Sequence, residues 1–269
     1  MRWALGFLFL AVVLGGWLRI SGLEERSISH PEMYVPGIRL PDGASEPAER
    51  VTALKVLTGT FSVDVHPPGY YLAMLQWTRA FGTSLFAIRL PSALFGLATI
   101  GLTGLLGFLL RRPMAGALAA LLVAVSGYQV FWTQSARMFA QECFLGLLAT
   151  VLLVSMVRAG HASTYRVAAY VLAVVAGMST DLHFWTVLGA HMIWTSARDW
   201  TRRSFSEAAR MQVLSLILGF PFLAFTVYQS QNVVPELSRD VPRFLAEFAS
   251  FAFLLPSEYS GSFPGLPQG

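Results

Sequence analysis

The chain reads as an all-α polytopic membrane protein with about seven transmembrane helices and a large first extracytoplasmic loop, residues 21–88, that carries an interfacial helix. Three observations point there. Hydrophobic residues make up 55% of the sequence and charged residues only 13%, about half the charge of a soluble domain. The apolar residues are gathered into long runs instead of being scattered, and the mean hydropathy is +0.57. Short basic clusters separate the runs: Arg111-Arg112, Arg158 to Arg166, and Arg198 to Arg210.

The expected spans are 3–20, 90–110, 114–132, 139–157, 167–180, 183–197 and 213–229. Most approach the roughly 20 residues a bilayer requires, while 167–180 and 183–197 are short and read as tilted or interrupted. The first run follows Arg2 and has no small-x-small cleavage site after it, so it reads as an uncleaved signal-anchor. The basic clusters lie inside under the positive-inside rule, which places the N-terminus in the cytoplasm and segments 21–88, 133–138, 181–183 and 230–269 outside. The net charge of +4 is therefore a matter of topology, and no nucleic-acid partner is expected. The single cysteine, Cys143, excludes an internal disulfide and a multi-cysteine metal site.

Within the first loop, Pro36, Gly37, Pro41, Gly43 and Pro47 mark irregular chain. A helix is expected from Pro67, with Asp64 or His66 as its cap and Tyr71, Met74, Leu75 and Trp77 anchoring it at the interface. The transmembrane domain is expected to cover 1–230. The segment 231–269 reads as a Pro/Gly-rich extracytoplasmic tail with a short amphipathic helix at Pro242–Leu254.

Polar groups near a bilayer are informative because each is costly unless paired or hydrated. Here they collect on the expected outer face: Glu32, then His66, Tyr70 and Tyr71, then Gln134, Arg137, Gln141 and Glu142, then Asp181 and His183. Each also has an ordinary reading. Glu32 is a loop carboxylate that water would solvate. His66 and Tyr70, four apart on one helix face, serve equally as interfacial anchors. Arg137 either snorkels to headgroups or clamps a phosphate through its planar fork. Asp181-Leu182-His183 has spacing for a metal or for capping a helix break. A Gly-rich phosphate loop, a His-Glu-x-x-His pattern and a Gly-x-Ser-x-Gly elbow are absent, which disfavours a soluble nucleotide-sugar enzyme.

The phrases His66-Pro67-Pro68-Gly69-Tyr70-Tyr71, Phe81-Gly82, and Arg89-Leu90-Pro91-Ser92-Ala93-Leu94-Phe95-Gly96 follow one another in order. Gln134-Ser135-Ala136-Arg137-Met138-Phe139-Ala140 and Thr180-Asp181-Leu182-His183-Phe184 come after them. In these phrases the chain resembles the bacterial C-type (GT-C) membrane glycosyltransferases, relatives of protein O-mannosyltransferases and of the aminoarabinose transferase that modifies lipid A. The resemblance covers about residues 3–230. Three departures stand out. The family's acidic pair is reduced to Pro31-Glu32, Ser135 stands where Glu is common, and Phe139 stands where Tyr or Asp is usual. Family members also carry further spans and a C-terminal periplasmic portion, so the chain is expected to be a fragment, a reduced subfamily or an inactive relative.

The resemblance implies inverting transfer of a sugar from a polyprenyl phosphate to an acceptor hydroxyl on a glycan, lipid or protein, at the outer face of a bacterial inner membrane. It implies Glu32 as general base and a donor phosphate held by Arg137, with His66, Arg89 and Gln134 beside it. Tyr70 and Tyr71 would stack on the sugar or orient the phosphate, and Asp181, His183 and Glu142 would line the site. A divalent metal is left open. The alternative from another class is a non-catalytic carrier or assembly partner that binds the lipid phosphate with no base. A transporter ranks third, because the span centres are nearly free of charge and no repeat relates the halves.

Overall fold

The computed structural model describes residues 1–38, 51–60, 66–160, 163–202 and 207–233. Among the described residues every regular element is helical. In order they are α1 (Arg2–Ile20), a 3₁₀ turn at His30–Tyr34, α2 (Ala53–Leu57), α3 (Gly69–Phe81), α4 (Leu85–Leu109) and α5 (Pro113–Val125). There follow α6 (Gly127–Thr133), α7 (Phe139–Ala159), α8 (Thr164–Met178), α9 (Phe184–Arg202) and α10 (Glu207–Val233). Contacts divide the chain into two units, Met1–Thr226 and Val227–Gly269. The expected tail helix at Pro242–Leu254 and the expected cap Asp64 lie outside the described residues.

Among the described residues, four helices are long and apolar enough to cross a membrane: α1, α4, α7 and the Ala208–Gln229 part of α10. The pair α5 and α6, bent by 63° at their junction, makes up to five if it is one span. The two remaining expected spans fall on α8 and α9. The first has 15 residues, about 22 Å at 1.5 Å per residue, and the second carries Arg198, Asp199 and Arg202 near its end.

Small residues let the first helices touch. Ala4, Ala11 and Gly15 form the buried face of α1, and a Cβ on Gly116 of α5 would stand 2.6 Å from the Cα of Gly107 in α4. The break between α5 and α6 leaves carbonyls without helical partners. Arg19, fully buried at the end of α1, donates to Val123 O and Ala124 O at 2.9 Å each and to Gly15 O at 3.1 Å. A cation at the carbonyl end of α5 also opposes that helix's negative terminus. The bend is thus held by a side chain from another helix.

Proline does comparable work in α4. Pro91 has no N–H, so the carbonyl of Ala87, four residues earlier, loses its helical donor. Trp77 Nε1 of α3 donates to that oxygen at 2.7 Å. The helix expected from Pro67 begins at Gly69 and has no side-chain cap. Its first amide instead donates to Ser179 O, beyond the end of α8, at 2.7 Å. A Cβ on residue 69 would stand 2.5 Å from that same oxygen, so the close approach requires glycine. One face of α3, with Tyr70, Tyr71, Met74 and Leu75, is buried against Val35, Ile38, Val51, Val56, Ile88, Ala136 and Met138. This helix is therefore built into a small core of its own.

A second core joins α7, α8 and α9 around Leu153, Tyr170, Val174, Phe184 and Leu188. A polar chain crosses it. Thr150 Oγ1 donates to Gly146 O at 2.8 Å, and His191 Nε2 lies 3.0 Å from the same Oγ1. Tyr170 Oη lies 3.1 Å from His191 Nδ1. Because the one hydroxyl hydrogen of Thr150 is committed to Gly146, the imidazole must donate from Nε2 and accept at Nδ1 from Tyr170. A neutral histidine suits such a setting.

Candidate functional site

The polar residues singled out from the sequence gather at one end of the bundle, where α1 and α8 finish and α3, α4, α7 and α9 start. They form three groups with different chemistry.

The first group is Glu32 and Arg89. Ser29 and Glu32 make a capping box around the 3₁₀ turn. The Glu32 carboxylate, 1% exposed, accepts five hydrogen bonds: from Arg89 Nε and Nη2, from Ala136 N, and from Ser29 N and Oγ. Arg89, 2% exposed, directs its remaining donors to the carbonyls of Leu23, Arg26 and Ser27. All five N–H groups of the guanidinium are then engaged. Burial works to raise the Glu32 pKa, yet Arg89 and the amides of Ala136 and Ser29 outweigh it and hold the carboxyl below its ordinary value. Glu32, expected as the base, and Arg89, expected beside the donor phosphate, thus already engage each other, and the five bonds favour the ionised form of the Glu32 carboxyl. Arg89 has no donor left for a phosphate. Together they tie the segment after α1 to α4 and to the turn before α7.

Gln134 is engaged in a similar way. Its amide nitrogen donates to Leu18 O at 2.8 Å and Ser21 O at 3.0 Å, satisfying carbonyls at the end of α1. A donor engaged there is not offered to a ligand.

The second group is Arg137 with Tyr70 and Tyr71. Arg137 is 7% exposed, its Nη1 donates to Tyr71 Oη at 3.3 Å, and its guanidinium carbon lies 5.8 Å from the centre of the Phe139 ring. Ser92 Oγ holds the Arg137 carbonyl at 3.3 Å, which links the Arg-Leu-Pro-Ser phrase of α4 to this turn. Tyr70 and Tyr71 meet edge to face, 5.5 Å between ring centres. The Tyr70 hydroxyl is buried and makes no hydrogen bond among the described residues. Burial raises its pKa, with the Arg137 cation opposing and the Glu32 anion reinforcing, so the group is a neutral phenol that feels both charges.

The third group centres on Asp181, which is fully buried. Its Oδ1 accepts from His183 N at 2.8 Å and lies 2.7 Å from His183 Nδ1, while Oδ2 lies 3.1 Å from His66 Nδ1. The backbone bond is an Asx turn that leads into α9. Burial opposes ionisation of Asp181, but the two imidazoles overcome it and hold the carboxyl well below its usual range. The same contact raises the pKa of His183 above 6.5, with burial opposing. Glu142, in the first turn of α7, completes the group. Ligand atoms of Glu142, Asp181 and His183 lie within 4.8 Å of one another, an oxygen and nitrogen set that a divalent cation could use. Gln141 Nε2 donates to Thr180 Oγ1 at 2.9 Å and fixes α7 to the same turn. His66 and Asp181 therefore meet because Gly69 rests on Ser179.

Three participants escaped the sequence reading. Ser29 was signalled by its Ser-x-x-Glu spacing to Glu32. Ala136 acts through its backbone and left no signal. Arg19 stands at the end of an apolar run, where a cation reads as an ordinary interfacial residue.

No family model, no curated protein and no solved structure matches the chain.

Proposed function

We propose that this protein transfers a sugar from a polyprenyl phosphate to an acceptor hydroxyl at the outer face of a bacterial inner membrane, with inversion at the anomeric carbon. One observation carries the reading. At one end of an apolar helical bundle, the segment 66–71 joins two buried phenols, one of them bonded to a buried guanidinium, to a buried carboxylate flanked by two imidazoles. An anion with a long apolar tail is what the first set suits, and proton transfer is what the second set suits. The N-terminus is assigned to the cytoplasm and the site to the opposite face by the positive-inside rule, with α1, α4, α5 with α6, α7, α8, α9 and α10 as seven spans.

In this reading Arg137 and the hydroxyls of Tyr70 and Tyr71 hold the donor phosphate and take up the charge that develops on it as the glycosidic bond breaks. The acceptor's proton passes to the imidazole of His66 or His183, each held through Nδ1 by the Asp181 carboxylate, in place of Glu32. A divalent cation bound by Glu142, Asp181 and His183 would supply Lewis-acid help to the same phosphate. The acceptor is a glycan, a lipid or a protein.

The test uses the purified chain in nanodiscs. Labelled undecaprenyl phosphate is expected to bind, and Arg137→Ala is expected to weaken that binding at least tenfold, the scale of a charge-assisted bidentate contact. A polyprenyl-phosphate sugar is expected to be turned over, with Asp181→Asn abolishing turnover while donor binding persists. Failure of the parent chain to bind undecaprenyl phosphate refutes the donor assignment. Binding without turnover favours the second reading, a lipid-phosphate carrier or assembly partner. A specific observation supports that reading too: the carboxylate expected to serve as base is wholly engaged with Arg89.

A further inference from the structure

We infer that the rings of α6 form the docking surface for the phosphate-proximal isoprene units of the lipid donor. The inference rests on the donor reading above and adds a place for the lipid chain. Tyr128 and Trp132 meet with ring centres 6.2 Å apart at 71°, and Phe131 and Trp132 meet at 5.1 Å and 83°. Trp132 then meets Phe139 of α7 at 4.5 Å and 68°. Each ring thus presents an edge to the face of the next, the arrangement favoured by aromatic quadrupoles. The ladder runs inward. Tyr128 is 64% exposed and Phe131 47%, Trp132 and Phe139 are half-buried, and Arg137, stacked on Phe139, is 7% exposed. At the outer end the guanidinium of Arg26 lies 5.6 Å over Phe131.

The chemistry of the occupant follows from this order. The rings are apolar and unsaturated, Arg26 lies over Phe131 at their exposed edge, and the ladder ends at the buried cation of Arg137. A ligand matched to it is a long hydrocarbon with one anionic end. Isoprene units present double bonds and methyl groups to ring faces, and a ring such as Trp132, held by three neighbouring rings, meets them with little loss of freedom. An ordinary aromatic belt has no need of such interlocking, since each ring there anchors independently to headgroups. The direction of α6 is itself held, because Arg19 grips the carbonyls freed by the 63° bend.

The experiment uses the full chain in phosphatidylcholine nanodiscs and a farnesyl phosphate that carries benzophenone at its hydrocarbon end. Photolabelling is expected within residues 128–139, displaced by undecaprenyl phosphate and not by an equal amount of phosphatidylglycerol. Trp132→Leu is expected to weaken the competition by undecaprenyl phosphate about three- to tenfold, the range of one aromatic contact. Phe131→Leu, at the more exposed ring, is the second variant should Trp132→Leu fail to fold, with a smaller loss in the same direction. Label on other helices that undecaprenyl phosphate displaces overturns the inference and leaves the donor reading standing. Equal displacement by phosphatidylglycerol also overturns it, since the face would then be ordinary lipid annulus. Absence of any displaceable label, with undecaprenyl phosphate also failing to bind, removes the donor reading itself.

Discussion

Replacing Glu32 with glutamine separates a scaffold carboxylate from a catalytic one. In the parent, five donors converge on two carboxylate oxygens. The glutamine NH₂ cannot accept. Placed at Oε1 it faces Arg89 Nε–H and Ala136 N–H; placed at Oε2 it faces Arg89 Nη2–H and Ser29 N–H. Either orientation leaves two donor–donor contacts, and the Arg89 cation, 2% exposed, loses its counter-charge. Breaking a buried, hydrogen-bonded ion pair costs about 3–5 kcal/mol. At about 2–4 °C per kcal/mol for a domain of this size, the melting temperature falls by roughly 6–20 °C. The assay is thermal unfolding of the purified chain in a mild detergent, paired with undecaprenyl phosphate binding. The double variant Glu32→Leu/Arg89→Met removes both charges but leaves the amides of Ala136 and Ser29 and the carbonyls of Leu23, Arg26 and Ser27 without these partners. It therefore remains less stable than the parent while losing less than the sum of the single losses, a coupling of about 1–3 kcal/mol. A Glu32→Gln chain that melts with the parent yet fails to turn over donor would refute the scaffold assignment and restore Glu32 as the base.

Three further outcomes follow from the same geometry. The Glu32 carboxyl is held below its ordinary value of 4.5, so its contribution to stability is present above that value and is lost as the pH falls through the folded pKa. The melting difference between parent and Glu32→Gln is therefore expected to shrink on acidification below about pH 4, and a constant difference would contradict it. Arg19→Met removes the donors to Val123 and Ala124 and is expected to cost about 2–4 kcal/mol, measured by denaturant titration in detergent. An unchanged midpoint would show that the bend holds itself. Gly69→Ala forces α3 from Ser179 and should disturb the His66–Asp181 contact. Weaker donor turnover at nearly unchanged donor binding, measured by the nanodisc assay, is the expected sign.

The helical class and the positions of the four to five helices able to cross a membrane were legible because apolar runs are local in sequence. So was the convergence of His66 with Asp181, since both lay in recognisable phrases on one expected face. The role of Glu32 was not legible. A sequence displays a carboxylate beside a motif but not which donors fill its lone pairs, and here those donors come from α4 and from the backbone before α7. The partners of Arg89 and Gln134 were hidden for the same reason: the carbonyls they satisfy belong to residues 18–27, which carry no motif. The Pro91 phrase reads as a family mark in sequence, whereas in the fold its effect is an orphaned carbonyl that Trp77 fills.

The latch between Gly69 N and Ser179 O has a consequence for how the protein is made. Ribosomes release the His-Pro-Pro-Gly segment early and the α8–α9 turn late, so α1, α4 and α7 can be in the bilayer while α3 still lacks its terminal anchor. The contacts of α3 with the α8–α9 turn, Gly69 to Ser179 and His66 to Asp181, can close only when the chain beyond His183 has emerged. Nascent chains arrested before Ser179 should be cut readily by protease between residues 66 and 75, and chains arrested after α9 should resist.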